Sequence, residues 1–333
     1  MSGTSSVVSL NLLDPRVESL PPPPPAEQDF GSRLDGVIVL VSARDVYLAK
    51  ACCASIRQAM GDIPITLLVD GREVNTAELS RLSNVKIMVA QEVAGEDEPF
   101  LTSFWVKLLV FWASPYERFL YLDADTLVWG DLRVYAEFDK YDFIAAYHFK
   151  NPRVAQKPED CPFDREVIKK LDPAFDWREK IDANNGVFFA RRGVFTRENL
   201  LTLRKSECWR NYENGLVNYL RWHAAGAGVP RTGGHKIQLY PANSSMADQD
   251  RFLPRDCQRP AIIHWISKKP RLGRRYRAAD DYRKLFLKMT GRTKGLNARL
   301  FTEDIAVWLG RNKRSLLRQK ARSELGPQAS VTP

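Results

Sequence analysis

The sequence predicts an α/β protein built on a mostly parallel central sheet with flanking helices. Three observations carry that reading. Apolar strand-length runs alternate with helical-length segments from Val37 onwards. Those runs are continuous rather than alternately apolar and polar, as expected of strands buried on both faces. The chain has 333 residues, 44% hydrophobic and 27% charged, so a large core can be buried.

The elements follow in order. Residues 1–33 carry Ser and Thr, then the run Pro21 to Pro25, which reads as a flexible arm ending in a polyproline spacer. The ordered chain starts near Asp35. Val37–Val41 is the first strand and Val46–Met60 a helix. Ile65–Val69 is a second strand, closed by a turn at Asp70-Gly71. A short helix is expected over 76–82 and a third strand over Val85–Val89. The apolar stretch Ser103–Ala113 has helical length and is broken by Pro115. Phe119–Leu122 is a fourth strand. Phe143–Tyr147, Gly186–Ala190 and Ala261–His264 are further strands, with helices near Thr196–Lys205 and Gly215–Ala225. A last helix is expected over Thr302–Arg322. The main domain therefore spans 34–270, followed by a basic helical extension over 271–333.

Composition narrows the class. No run approaches ~20 apolar residues, which argues against a transmembrane helix. The N-terminus lacks a basic-then-apolar leader pattern. Five cysteines (Cys52, Cys53, Cys161, Cys208, Cys257) show no CxxC spacing, against a disulfide framework or structural zinc. A cytoplasmic protein is expected. The net charge is +10 and unevenly spread: residues 268–333 hold 18 basic and 5 acidic residues, whereas residues 1–267 are slightly acidic. In the tail, basic residues lie beside Tyr276, Tyr282, Phe286, Trp308 and Leu309, a mixture suited to an anionic membrane surface. The other reading is a solvated helix packed on the body through its apolar face. No nucleic-acid recognition module is visible, so nucleic acid is not an expected partner.

Phe119-Leu-Tyr-Leu-Asp-Ala-Asp-Thr-Leu-Val128 is the sharpest chemical signal. Asp123 and Asp125 follow directly on a buried strand, where residues i and i+2 can point the same way. Two hard oxygen ligands there can hold Mg²⁺ or Mn²⁺ and leave positions for phosphates. A bare DxD is weak evidence. Its apolar strand and the following Thr-Leu-Val make it much stronger.

This segment resembles the DxD of the GT-A fold glycosyltransferases, most closely glycosyltransferase family 8. The likeness runs in motif order over roughly residues 37–270. It implies a Rossmann-like nucleotide-diphospho-sugar transferase fold. It also implies metal-dependent transfer of a hexose from a nucleotide-diphosphate sugar, a UDP-sugar in this family, to an acceptor hydroxyl, with retained configuration. A binding protein of the same fold without transferase activity is the alternative.

The resemblance assigns further residues. Ser42, Asp45 and Tyr47 are similar to the family's first loop, where an acidic residue and a tyrosine hold the base. Asp45 could equally cap the helix starting at Val46. Asp70 is a weaker member of that nucleotide site. Lys107, a lone charge in an apolar stretch, is similar to the family's donor-site lysine near the metal carboxylates, and Ala124 belongs with the donor segment. Asn184, Asn185 and Gly186 resemble an Asn-rich strand at which Gly allows close approach and Asn meets sugar hydroxyls. Where the family carries Asp-Gln against the transferred sugar, this chain offers Glu213-Asn214, with Asp248-Gln249 as competitor. His264 resembles the family's metal-binding histidine, and an imidazole favours Mn²⁺ over Mg²⁺. Lys268 or Lys269 would neutralise the diphosphate. Ser267 and Arg271 depart from the family's Gly and Trp there. The implied partners are a nucleotide-sugar donor and a glycan or glycolipid acceptor, with the tail at the inner membrane face.

Overall fold

The structure, a computed structural model, describes residues 34–101, 103–148, 163–175, 184–206, 209, 213–223, 232–241, 260–265, 277–306 and 308–309. The Pro-rich arm, Asp248, Gln249, Lys268, Lys269 and the chain from 310 onwards lie outside the described residues.

In chain order the elements are β1 (Gly36–Ser42), α1 (Val46–Met60), β2 (Ile65–Asp70), β3 (Val85–Val89), α2 (Ala90–Ala94), α3 (Val110–Ala113), β4 (Arg118–Asp123) and β5 (Thr126–Trp129). Then come β6 (Phe143–His148), α4 (Arg165–Leu171), β7 (Asn184–Arg191), α5 (Arg197–Arg204), α6 (Glu213–His223), β8 (Thr232–Pro241), β9 (Ala261–His264) and α7 (Arg277–Met289). The strands form one sheet in the order β3-β2-β1-β4-β7-β6-β8-β9-β5. Five of the eight pairings are parallel; β7 is antiparallel to both β4 and β6, and β5 to β9.

The continuous apolar strands are buried on both faces, with side chains alternating between them. Val37, Val39, Val41, Leu120, Leu122, Val187 and Phe189 join the core on the α1 side. Ile38, Phe119, Tyr121, Phe188 and Ala190 join a second core with Val106 and Phe111 on the other. Ser103–Ala113 is not one α-helix. A 3-10 segment spans Ser103–Leu109, and α-helical bonding starts only at Val110. Apolar patterning cannot separate these two conformations, because both bury the same face.

The basic C-terminal segment begins as part of the body. α7 lays Phe286 and Leu287 into the core that α1 covers. Buried Lys50 of α1 is paired with Glu78 and Glu303. Buried Arg283 of α7 meets Glu303 (2.9 Å), Asp304 (3.3 Å) and Asp280 (3.3 Å). For α7, the packed-helix reading of the tail is the one the structure takes. No helix among the described residues is long and apolar enough to cross a membrane.

Candidate active site

The three parallel strands β1, β2 and β4 end together. Ser42 lies opposite Asp70, and Leu40 opposite Asp123. In open α/β sheets this carboxyl edge is where ligands bind.

Asp123 closes β4, and a two-residue turn leads through Asp125 into β5. The turn is held twice: Thr126 Oγ1 donates to the Asp123 carbonyl at 2.8 Å, and Trp265 N–H donates to the Asp125 carbonyl at 3.0 Å. Pairing of β5 with β9 sets His264 opposite Thr126, which carries the imidazole to the carboxylates. His264 Nε2 lies 3.4 Å from Asp125 Oδ1 and 3.8 Å from Asp123 Oδ2. The ligand atoms of all three lie within 4.8 Å of one another, and Asp125 and His264 are buried. Two carboxylates and one imidazole are a donor set for a hard or borderline divalent cation such as Mn²⁺. The backbone leaves room for that cluster at one place. A Cβ on Gly186 would stand 2.3 Å from His264 Cε1 and 2.7 Å from Asp123 Oδ2. The residues present therefore fit a divalent ion.

Lys107 is buried beside this cluster. Its Nζ lies 3.2 Å from Asp123 Oδ1 and 2.9 Å from Glu213 Oε1. Burial works against its charge, but the two carboxylates outweigh that and hold the ammonium above the ordinary lysine range. Burial pushes Glu213 up, against the pull of Lys107. Lys107 is the partner we hold to be charged, because it answers two acids. Removing it would leave buried Glu213 without its cation and Asp123 with the Tyr121 hydroxyl in place of an ion pair. Lys107→Met is expected to cost on the order of 3–5 kcal/mol in urea unfolding. A loss under about 1 kcal/mol would show that the two acids do not depend on it.

Glu213 and Asn214 are brought to the site by a tie between β7 and the start of α6. Asn185 Nδ2 donates to the carbonyls of Glu213 (3.5 Å) and Asn214 (3.3 Å), and Asn185 N–H donates to Asn214 Oδ1 (3.3 Å). Asn184 Oδ1 accepts from Gly186 N–H at 2.8 Å. Ala124 is buried in the α1-side core.

The first loop lies on the same edge. Asp45 makes no side-chain cap on α1; Ser42 Oγ donates to its Oδ2 at 2.7 Å instead. Tyr47 is buried, with the Arg283 guanidinium 5.3 Å above its ring. Burial raises the Asp70 carboxyl, with Gln91 Nε2 at 3.5 Å lowering it in part.

One residue escaped the sequence reading. Tyr121 Oη donates to Asp123 Oδ1 at 2.7 Å. Burial, then the Asp123 charge, hold its hydroxyl well above the ordinary tyrosine range, so it remains a donor. The available signal was a lone hydroxyl inside an otherwise apolar strand.

The fold recurs in solved structures. WbbM, a bifunctional glycosyltransferase in its apo form, superposes with a TM-score of 0.52 at 14% identity over 82% of this chain and 52% of its own. An active-site mutant of the galactosyltransferase LgtC superposes with a TM-score of 0.51 at 14% identity, over 75% of this chain and 94% of its own. This is the GT-A glycosyltransferase fold. The chain spans about half the length of the WbbM chain it matches. No family model matches the sequence, and neither does any curated protein. Within the GT-A fold, the Asp123–Asp125–His264 cluster sits at the sheet edge where β1, β2 and β4 end.

Proposed function

We propose that this chain transfers a hexosyl group from a nucleotide-diphosphate sugar, with UDP as the nucleotide, to the hydroxyl of a glycan or glycolipid, retaining configuration. One observation carries the reading: Asp123, Asp125, His264 and Lys107 converge at the carboxyl edge of the GT-A sheet. Asp123, Asp125 and His264 would hold Mn²⁺, which when bound supplies positive charge to the leaving diphosphate.

The chain's own residues do the rest. The bond from the anomeric carbon to the diphosphate oxygen breaks, a bond to the acceptor oxygen forms, and the acceptor proton passes to the departing phosphate. No protein base is then required. Lys107 adds fixed charge beside the donor, at a buried position where that charge is weakly screened. Glu213 is engaged to Lys107 and serves to position it. Asn184, Asn185 and Gly186 would serve the sugar side and Ser42, Asp45 and Asp70 the base side, with Tyr47 buried behind them under Arg283; Lys268 or Lys269, outside the described residues, would meet the diphosphate.

The test is a screen of UDP- and GDP-sugars by thermal shift and donor hydrolysis, with and without Mn²⁺. UDP-sugar stabilisation and hydrolysis that require Mn²⁺ are expected. Binding without hydrolysis would favour the non-catalytic alternative, and no binding would overturn both.

A membrane-facing role is a second reading, with the chain at the cytoplasmic side of the inner membrane. It is favoured by the exposed Phe301, Trp308 and Leu309 in the helical stretch after α7. Sedimentation with anionic vesicles should fall on Phe301→Ser with Trp308→Ser. Unchanged sedimentation would overturn it.

A further inference from the structure

Asp123 has two oxygens and two tasks. Oδ1 accepts from Tyr121 at 2.7 Å, and Oδ2 is the oxygen that faces His264. An ionised carboxylate only accepts, so the phenol is the donor in this bond. The ring that carries the hydroxyl has no freedom to wander. It is fully buried, stacked on Phe188 at 4.7 Å between centroids, and its backbone pairs with Phe188 across β4 and β7. Lys107 Nζ lies 5.6 Å above the same ring and reaches both oxygens of Asp123, at 3.2 and 3.4 Å. Lys107 therefore does not choose between the two oxygens, and Tyr121 does.

We infer that Tyr121 is a positioning residue for the cation site: by holding Oδ1 of Asp123, it presents Oδ2 toward His264 as a single-oxygen ligand. This rests on the metal-site reading above. Outer partners that orient a ligating carboxylate typically contribute a factor of roughly 10 to 100 in metal affinity.

The measurement is Mn²⁺ binding by electron paramagnetic resonance on the full chain. Tyr121→Phe keeps the packed ring and removes only the donor. Mn²⁺ affinity should fall roughly 10- to 100-fold, with the metal-free melting temperature nearly unchanged and hydrolysis recovering at saturating Mn²⁺. In an Asp123→Ala background, Tyr121→Phe should add nothing. Unchanged Mn²⁺ affinity in the single variant would overturn the inference, as would an equal further loss on top of Asp123→Ala. If Asp125→Asn abolishes Mn²⁺ binding while Tyr121→Phe is silent, only the role of Tyr121 falls. If Asp125→Asn is silent too, the cation site falls with it. Should Tyr121→Phe not fold, near-ultraviolet circular dichroism of the wild type decides. Mg²⁺ should perturb the tyrosine signal, and Asp123→Ala should remove the perturbation; an unperturbed wild-type signal counts against the role.

Discussion

Asp125→Asn is expected to remove Mn²⁺-dependent donor hydrolysis and transfer while leaving the metal-free protein at least as stable. The side chain keeps its size and loses its charge. Asp125 is buried, and its Oδ1 is the carboxylate oxygen nearest His264 Nε2, at 3.4 Å. Asp123 cannot substitute, because Tyr121 and Lys107 already draw on its charge. Cation stabilisation of a leaving diphosphate contributes several kcal/mol, and each ~1.4 kcal/mol is tenfold in rate. A loss on the order of 100-fold or more in hydrolysis follows. Stability should move the other way, since the buried one of two neighbouring negative charges has gone. Turnover at the wild-type level would sink the metal-assisted reading.

Gly186→Ala should be the second-largest effect, and it tests geometry rather than charge. The added methyl would stand 2.3 Å from His264 Cε1, 2.7 Å from Asp123 Oδ2 and 2.8 Å from Asn184 Oδ1. Real atoms do not approach so closely, so something must yield. His264 is held through β9, which pairs with β5 on one side and β8 on the other. Asp123 is held by Tyr121 and Lys107. A strain of about 1–3 kcal/mol is expected in urea unfolding, together with loss of Mn²⁺ binding at concentrations that saturate the wild type. Wild-type Mn²⁺ affinity in Gly186→Ala would show that the cluster is looser than its distances state.

The β1–β4 half of the sheet was readable because its strands are continuous apolar runs bounded by turns. α1 matches its expected bounds and ends at Gly61, where φ is +69° and glycine is favoured. β5 and β8 were not readable. β5 is four residues continuing the DxD segment, and β8 opens on Thr-Gly-Gly with polar residues after it. Both are strands by virtue of distant partners rather than their own pattern. The antiparallel direction of β7 is equally a matter of pairing, since an apolar run has no direction. In the site, Asp123, Asp125 and His264 were legible because their residue types have few other reasons to stand at strand ends. Tyr121 was not, because the same letter is an ordinary core aromatic until its hydroxyl's partner is known. Asp45 lay between these cases: cap and ligand roles predict the same residue there, and its side chain makes no cap bond but accepts from Ser42.

The bond between Lys50 and Glu303 joins residues 253 positions apart. In synthesis Lys50 of α1 precedes Glu303 by those 253 residues, and until they are made its ammonium has only Glu78 for company. The apolar surface that Phe286 and Leu287 cover is likewise exposed for that time. Long-range closure of this kind is slow and leaves adhesive surface in the interim. The β1–β4 half of the sheet is thus sealed on its α1 side only after Phe286, Leu287 and Glu303 have been made.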